Sequence, residues 1–353
     1  MKPRAILAVG LLLLQGSGST SGVAQEASSV ARSTHSPEFT FHSSSNLVLV
    51  DVLALNAKSG LPDGTLKRDD FRVFDEGQPV AIKTFDRGGQ TRPLAIWFVV
   101  QCRMPDRDAQ GSGFFRGRIS LLKPPLKNLD KKDSVAVAHW CDDGTSKLDL
   151  LPTRDVEEAA TVLEEVLAPI PDADFSDEAG ERALQNTLQL IVDATRSARP
   201  EPLPVVVFLY GDHSGMPRSE ADHFIDELLQ TSAIAYGLKD RRSPGIWFLP
   251  GEQKEVAHYI ATETGGQYLA VTPETYAQGL EEILQQLHFR YELGFKPEAL
   301  DGRRHKLRVE LAEGIKDEYK GVRLRYRAAY VAAPPWDNAV PSGALATRLT
   351  PNK

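Results

Sequence analysis

The sequence contains little cysteine: Cys102 and Cys141 are the only two in 353 residues. They form no CxxC motif and have no histidine cluster beside them in sequence, so they make a poor metal site. Clusters of Lys and Arg with interleaved aromatic residues are also missing, which argues against a surface that follows nucleic-acid phosphates. The formal net charge of −7 points the same way. We therefore expect no nucleic-acid partner and no cofactor.

A long apolar run is missing as well. The N-terminal run from Ala5 to Leu14 is too short to span a bilayer comfortably. It follows Lys2 and Arg4 and precedes Gly22-Val23-Ala24, which is the pattern of a cleaved secretory signal. We predict a signal peptide over residues 1–24, with a signal anchor as the alternative. The mature chain is then secreted or periplasmic and keeps no stable membrane anchor.

Two flanking segments, residues 38–90 and 288–331, have the alternation typical of antiparallel strands. In the first, a turn at Glu76-Gly77-Gln78-Pro79 precedes one strand carrying Val80, Ile82 and Phe85. In the second, "KGVRLRYRAAYV" is predicted as a single strand. Neither flank is large enough to bury a core alone. We therefore expect both flanks to form one β-sandwich.

Residues 91–287 alternate apolar runs such as "LAIWFVV" and "PVVVFLY" with amphipathic segments. Buried strands that alternate with helices predict a mostly parallel sheet covered on both faces. The predicted fold class is α/β: a doubly wound, Rossmann-like sheet inserted into an Ig-like β-sandwich formed by both flanks. Residues 25–37 are predicted to be a flexible leader, and residues 332–353 a disordered tail.

The order of these segments resembles a secreted, acidobacterial-type bacterial family built around a von Willebrand factor type A domain. The resemblance covers most of the mature chain and is carried by these stretches: "VDVLALNAKSG", "LKRDDFRVFDEGQPVAIKTF", "PLAIWFVV", "DSVAVAHWCDDGTSKLDLLPTRD", "ATETGGQYLAV", "FRYELGFKP" and "DGRRHKLRVEL". It implies the von Willebrand A fold, in which the first and second parallel strands are neighbours.

The resemblance also implies a divalent-cation site at the carboxyl edge of the sheet, the edge at which the parallel strands end. The family's ligands there are an Asp-x-Ser-x-Ser motif, a Thr and an Asp, because hard cations need several oxygen ligands. In this sequence Gln101, Arg103 and Pro105 stand at the first motif, and no hydroxyl precedes Thr187 in the Thr region. Only Asp212 lies where an acidic ligand belongs. We interpret this edge as a degenerate, former metal site and expect no bound metal.

A displaced cation site is the alternative that the sequence leaves open. It would use the carboxylates near this edge: Asp106, Asp108, Asp142, Asp143 and Asp212.

In an oxidising compartment an isolated cysteine pair is more often bridged than reactive. By the resemblance, Cys102 and Cys141 end neighbouring parallel strands at the carboxyl edge, so a disulfide between them is reachable. Two reduced, buried thiols are the alternative. His139, in the interior of the second strand, is interpreted as a packed core residue.

Partner binding is predicted at a rim formed by Phe114, Phe115, Arg107 and Asp142. Adjacent aromatic residues between glycines are either folded back into the core or displayed, and displayed aromatics anchor interfaces. The predicted function is a secreted, non-catalytic protein-binding or adhesion module with an unidentified protein partner. The alternatives are a structural envelope module and a hydrolase that uses Asp212 and His213. Against the hydrolase, "GDHSG" places His213 where a nucleophile elbow needs Ser.

Overall fold

The computed structural model describes residues 47–87, 92–102, 122–166, 177–197, 202–210, 216–241 and 256–332. Within these ranges the strands are β1 Val48–Asn56, β2 Phe71–Asp75, β3 Gln78–Val80, β4 Ile82–Asp86, β5 Leu94–Gln101, β6 Ser134–Trp140, β7 Ser146–Thr153, β8 Leu203–Tyr210, β9 Ile234–Asp240, β10 Tyr268–Val271, β11 Tyr291–Phe295, β12 Arg304–Leu311, β13 Val322–Arg325 and β14 Ala329–Val331. The α-helices are α1 Lys123–Leu126, α2 Val156–Val166, α3 Asp177–Ser197, α4 Arg218–Thr231, α5 Val256–Glu263 and α6 Tyr276–His288.

The predicted signal peptide and leader lie outside the described residues, as does nearly all of the predicted tail. No helix in the described part of the chain is long and apolar enough to cross a bilayer.

Six strands form a central sheet in the order β10-β9-β8-β5-β6-β7. Neighbouring strands run parallel except for β6 and β7, which form an antiparallel hairpin. Strand β5 is buried along its whole length, because both faces of the sheet are covered. Helices α3, α4 and α5 contribute to the core on one face, and α1, α2 and α6 to the core on the other. This arrangement confirms the predicted doubly wound, mostly parallel sheet.

The flanking strands form two antiparallel sheets of four strands, β13-β1-β11-β4 and β14-β12-β2-β3. Each sheet combines strands from before and after the central sheet. Their side chains share one apolar core, in which the ring centroids of Phe71 and Tyr291 lie 5.2 Å apart. The β-sandwich expected from both flanks is therefore present. The domain boundaries at residues 38–90, 91–287 and 288–331 stay predictions.

Two segments predicted as single strands each divide between the two sheets of the sandwich. Strand β3 pairs with β2 and ends at Val80, whereas β4 begins at Ile82 and pairs with β11. In the same way "VRLRYRAAYV" divides into β13, which pairs with β1, and β14, which pairs with β12. A chain that crosses between packed sheets can keep its in-and-out alternation. The alternation alone therefore does not mark the crossing point.

Two buried arginines connect the central sheet to the sandwich. Arg290 is 2% exposed and donates hydrogen bonds to the Tyr236 hydroxyl at 2.8 Å and to the Gly265 carbonyl oxygen at 2.6 Å. Arg327 is 7% exposed and donates to the carbonyl oxygen of Leu49 in β1. Burial lowers the pKa of Arg327 to about 10, so its guanidinium is still charged at neutral pH. We call this region, around Arg290, Arg327 and Gly265, the junction.

Candidate functional site

The carboxyl edge of the central sheet is built by the parallel strands β5 and β6. Their register pairs Gln101 with Trp140, the last residue of β6. The next residues, Cys102 and Cys141, are then neighbours, and the Cys102 amide donates to the Trp140 carbonyl oxygen at 2.8 Å. Parallel pairing in this register therefore brings the two cysteines together at the edge.

A disulfide joins Cys102 to Cys141, and their Cα atoms are 4.8 Å apart. Cys102 is 8% exposed and Cys141 is 1% exposed, so the bond is buried. The predicted bridge is confirmed, and the alternative of two reduced thiols is wrong for this structure, since it has no free cysteine.

Gln101 occupies the position at which the family resemblance would require an aspartate. It is 3% exposed. Strand alternation places it on the same face as Trp97 and Val99, whose side chains belong to the core that includes α3, α4 and α5. A buried neutral amide offers a single carbonyl oxygen and no negative charge, which is a weak donor for a hard cation.

Thr187 is the first hydroxyl in the region where the family has a threonine ligand. It is fully buried on α3, and its hydroxyl lies 2.9 Å from the Ala183 carbonyl oxygen and 3.2 Å from the His139 carbonyl oxygen. The hydroxyl of Ser146 lies 2.8 Å from it. These contacts occupy the Thr187 hydroxyl in packing α3 against the β6–β7 hairpin.

Asp142 begins the turn between β6 and β7, in which Gly144 has a positive φ of 93°. Its side chain is half-buried and lies against α3, because a methyl group built at Gly180 would come within 2.4 Å of Asp142 Oδ1. The Asp143 carboxylate accepts a hydrogen bond from the Thr145 amide at 2.8 Å within the same turn. The structure therefore places Asp142 at the carboxyl edge, and its part in partner binding stays a prediction.

The remaining predicted site residues lie outside the described part of the chain. They are Arg103, Pro105, Arg107, Phe114, Phe115, Asp212 and His213. The same holds for Asp106 and Asp108 of the alternative displaced cation site.

Sequence reasoning missed one polar pair beside the disulfide. His139 Nδ1 lies 2.5 Å from Asp149 Oδ2, and Lys147 Nζ lies 3.1 Å from the other carboxylate oxygen. The His139 side chain is 12% exposed and that of Asp149 is 6% exposed. His139 is thus a largely buried histidine held by a carboxylate on the neighbouring strand. The available signal was the β6–β7 hairpin, which brings "SKLDLL" back alongside "VAVAHW".

Millimolar Mg²⁺ or Mn²⁺ is expected to leave the melting temperature of the oxidised protein unchanged. Gln101 and Thr187 do not supply the charged oxygen ligands that these cations need. A ligand present at about 100 times its Kd would stabilise the native state by about 2.7 kcal/mol, which a thermal melt detects easily. EDTA-treated protein is the control. A clear rise in melting temperature with either cation would show that a cation site persists at this edge.

Comparison with known proteins finds no protein-family profile and no curated protein that matches this sequence. Similar solved structures include a von Willebrand factor type A protein from Catenulispora acidiphila (TM-score 0.40, 10% identity, 83% of this chain and 76% of that chain). A second is proximal thread matrix protein 1 from the mussel byssus, with a zinc-occupied MIDAS motif (TM-score 0.40, 12% identity, 60% of this chain).

A third is the conserved hypothetical protein BatB from Bacteroides thetaiotaomicron (TM-score 0.35, 16% identity, 55% of this chain and 97% of that chain). This chain matches about half the length of the mussel protein, 48%. Similarities of this extent concern the arrangement of helices and strands and say nothing of activity.

Proposed function

We propose that the protein is a secreted, non-catalytic protein-binding or adhesion module whose von Willebrand A-like domain works without the usual cation. The observation that carries this proposal is the chemistry of the carboxyl edge. There, Gln101 presents a buried neutral amide, and the Cys102–Cys141 disulfide ties β5 to β6. In open α/β sheets ligands bind at this edge.

The ligand set argues against a bound cation in the oxidised protein. A divalent cation needs several oxygen ligands, usually including carboxylates. Gln101 offers one neutral oxygen, and the hydroxyl of Thr187 is occupied by helix and hairpin contacts. By sequence, Arg103 adds a positive charge and Pro105 has no side-chain oxygen. By sequence, an ion at the family's position would therefore keep Asp212 as the one charged ligand of that set.

The state of the two cysteine sulfurs supports a non-catalytic role for the described part of the carboxyl edge. An enzyme of the hydrolase class needs a base within hydrogen-bond reach of a nucleophile. In the described part of the chain, Asp149 holds His139 as a carboxylate holds a catalytic base. The nucleophiles beside His139 would be the sulfurs of Cys102 and Cys141, and these two sulfurs are bonded to each other. The rival hydrolase would use Asp212 and His213.

The disulfide also supports secretion, because stable structural disulfides belong mainly to oxidising compartments. Cys102 directly follows the buried strand β5, and the disulfide therefore anchors the point at which the segment carrying Arg107, Phe114 and Phe115 begins. Binding segments commonly project from rigid scaffold of this kind. We propose that this segment, together with Asp142, forms the partner-binding rim.

Affinity capture from envelope extracts tests the proposal, with the mature chain as bait. We expect a specific partner to be retained in EDTA, and its retention to fall at least about tenfold in a Phe114→Ala/Phe115→Ala double variant. Phe289→Ala is the matched control, because Phe289 is 46% exposed and follows α6, away from the carboxyl edge.

Three outcomes would count against it. Loss of the partner in EDTA would indicate a cation-dependent module. Equal loss with Phe289→Ala would show that the proposed rim is not the binding surface. Capture of no partner at all would favour the structural envelope module instead.

A further inference from the structure

Three potential metal ligands converge at the carboxyl edge. The Sγ atoms of Cys102 and Cys141 and a ring nitrogen of His139 all lie within 4.8 Å of one another. Two thiolates and one imidazole are ligands that Zn²⁺ favours, and a set of three leaves one tetrahedral position open. The sequence suggests a poor metal site because the cysteines form no CxxC motif and have no histidine cluster beside them.

Strand geometry explains why these residues meet. His139 lies near the end of β6 and Cys141 directly follows the strand, so the two residues are two positions apart and their side chains lie on the same face of the sheet. Cys102 comes directly after Gln101, which is in register with Trp140 on the neighbouring strand. The site therefore lies at the ends of two adjacent strands, β5, which is fully buried, and β6, which is mostly buried, and such a scaffold holds ligands in place well.

A second observation points independently to a metal. Asp149 holds His139 through Nδ1 at 2.5 Å, which leaves Nε2 as the ring nitrogen with a lone pair to donate. Metal-bound histidines almost always have their other nitrogen fixed by a carboxylate or carbonyl in this way. The Asp149 carboxylate is itself held by Lys147, at 3.1 Å. The support that a zinc-ligating histidine needs is thus already present.

We propose that, when the disulfide is reduced, Cys102, Cys141 and His139 bind one Zn²⁺, oriented by Asp149. The fourth position is left for water or an exogenous ligand. Zinc and the disulfide exclude each other, because the same two sulfurs serve both. The ends of β5 and β6 can therefore be linked in two ways: by the disulfide under oxidising conditions, or by a zinc ion under reducing conditions.

The chemistry balances with a dithiol reductant. Its two thiols are oxidised to a disulfide, and the two electrons and two protons break the Cys102–Cys141 bond to give two thiols. Zn²⁺ then displaces one proton from each thiol. The sulfurs must separate to roughly 3.8 Å, the edge of a tetrahedron with Zn–S bonds of about 2.3 Å. Side-chain rotation provides this, since the two Cα atoms are already 4.8 Å apart.

A metal suits this site better than a nucleophilic thiol does. Cysteine, histidine and aspartate also occur together in catalytic triads. Here Cys102 is 8% exposed and Cys141 is 1% exposed, so a substrate carbonyl has little access to either sulfur. A single ion is small enough to be enclosed by them. The zinc site shares no residue with the proposed partner-binding rim, so either can be present without the other.

Zinc titration of the full chain, before and after reduction and with Zn²⁺ alone as the probe, tests the proposal. We expect the reduced protein to bind one Zn²⁺ per chain with submicromolar Kd, and the oxidised protein to lack this site. Cys102→Ser and Cys141→Ser should each abolish it. His139→Gln and Asp149→Asn should weaken it about 10–100-fold. Co²⁺ substitution should give thiolate-to-metal charge-transfer absorption in the reduced wild type, and none in the oxidised protein or in the Cys102→Ser and Cys141→Ser variants.

His288→Gln is the matched control, because His288 belongs to the other group of potential ligands in the described residues, with Asp130 and Asp133. It should leave zinc affinity unchanged. The proposal is overturned if reduced wild type binds no more zinc than Cys102→Ser. It is equally overturned if His288→Gln rather than His139→Gln removes the binding. A reduced chain that unfolds even at saturating zinc also contradicts it, since a native site would stabilise the fold.

Discussion

Reduction of the Cys102–Cys141 disulfide in the presence of EDTA is expected to lower the free energy of unfolding by about 3–4 kcal/mol. The bond closes a loop with a sequence separation of 39 residues, so its loss frees the unfolded chain of a substantial constraint. In the folded state it ties β5 to β6 at the end of a sheet whose strands are otherwise held by hydrogen bonds and packing. Urea unfolding with and without reductant measures the difference.

Alanine variants distinguish the stability that the disulfide bond provides from the stability that packing of the two cysteine side chains provides. Cys102→Ala, Cys141→Ala and the double variant should all lose a similar amount, because each removes the same bond and the losses do not add. Reductant should have no effect on the double variant, which makes it the internal control. Single-variant losses that sum to the loss of the double variant would mean that packing of the sulfurs, and not the bond, provides the stability.

Gly266→Ala is expected to destabilise the protein by about 3 kcal/mol or more. A methyl group built at Gly266 would lie 1.8 Å from the carbonyl oxygen of Ala235, which is backbone in β9 and has no flexible end to move. Either β9 or the end of α5 must then shift. Gly265, the next residue back, has a φ of 83° and accepts the hydrogen bond from Arg290, so the shift reaches the junction.

Gly314→Ala is the matched control for this variant. A methyl group there meets nothing within 4 Å, and Gly314 is not among the glycines with positive φ. The control should stay within about 0.5 kcal/mol of the wild type in the same urea experiment. If Gly266→Ala lowers the free energy of unfolding equally little, then β9 and α5 can separate at little cost. The junction would then be more easily deformed than its buried arginines indicate.

Sequence patterns predict the central sheet well because a strand that is buried on both faces is apolar at nearly every position. The run from Leu94 to Val100 is apolar at every position, and the structure buries all of it. No comparable sequence pattern marks the points at which the chain crosses between the two sheets of the sandwich. Around Ala81 the alternation continues although the hydrogen-bond partners change from β2 to β11.

Buried polar side chains were harder to predict, since their environment comes from residues distant in sequence. Arg290 and Arg327 look like surface charges in the sequence, yet the structure buries both against backbone carbonyls. His139 was interpreted as core, and its burial fits that interpretation. What sequence reasoning could not supply was Asp149, whose position depends on the register of the β6–β7 hairpin and its bulges.

The two-part origin of the β-sandwich has a consequence for the order of events during synthesis. Arg327 donates to Leu49 across 278 residues of chain, and Tyr330 donates to Asp75 across 255. Strands β1 to β4 leave the ribosome first, but their partners β11 and β12 follow only after the whole central sheet. Until these partners are synthesised, the edges of the early strands carry unpaired backbone N–H and C=O groups, which can pair with other chains. We expect the central sheet to fold first and the last strands to decide when the molecule is complete.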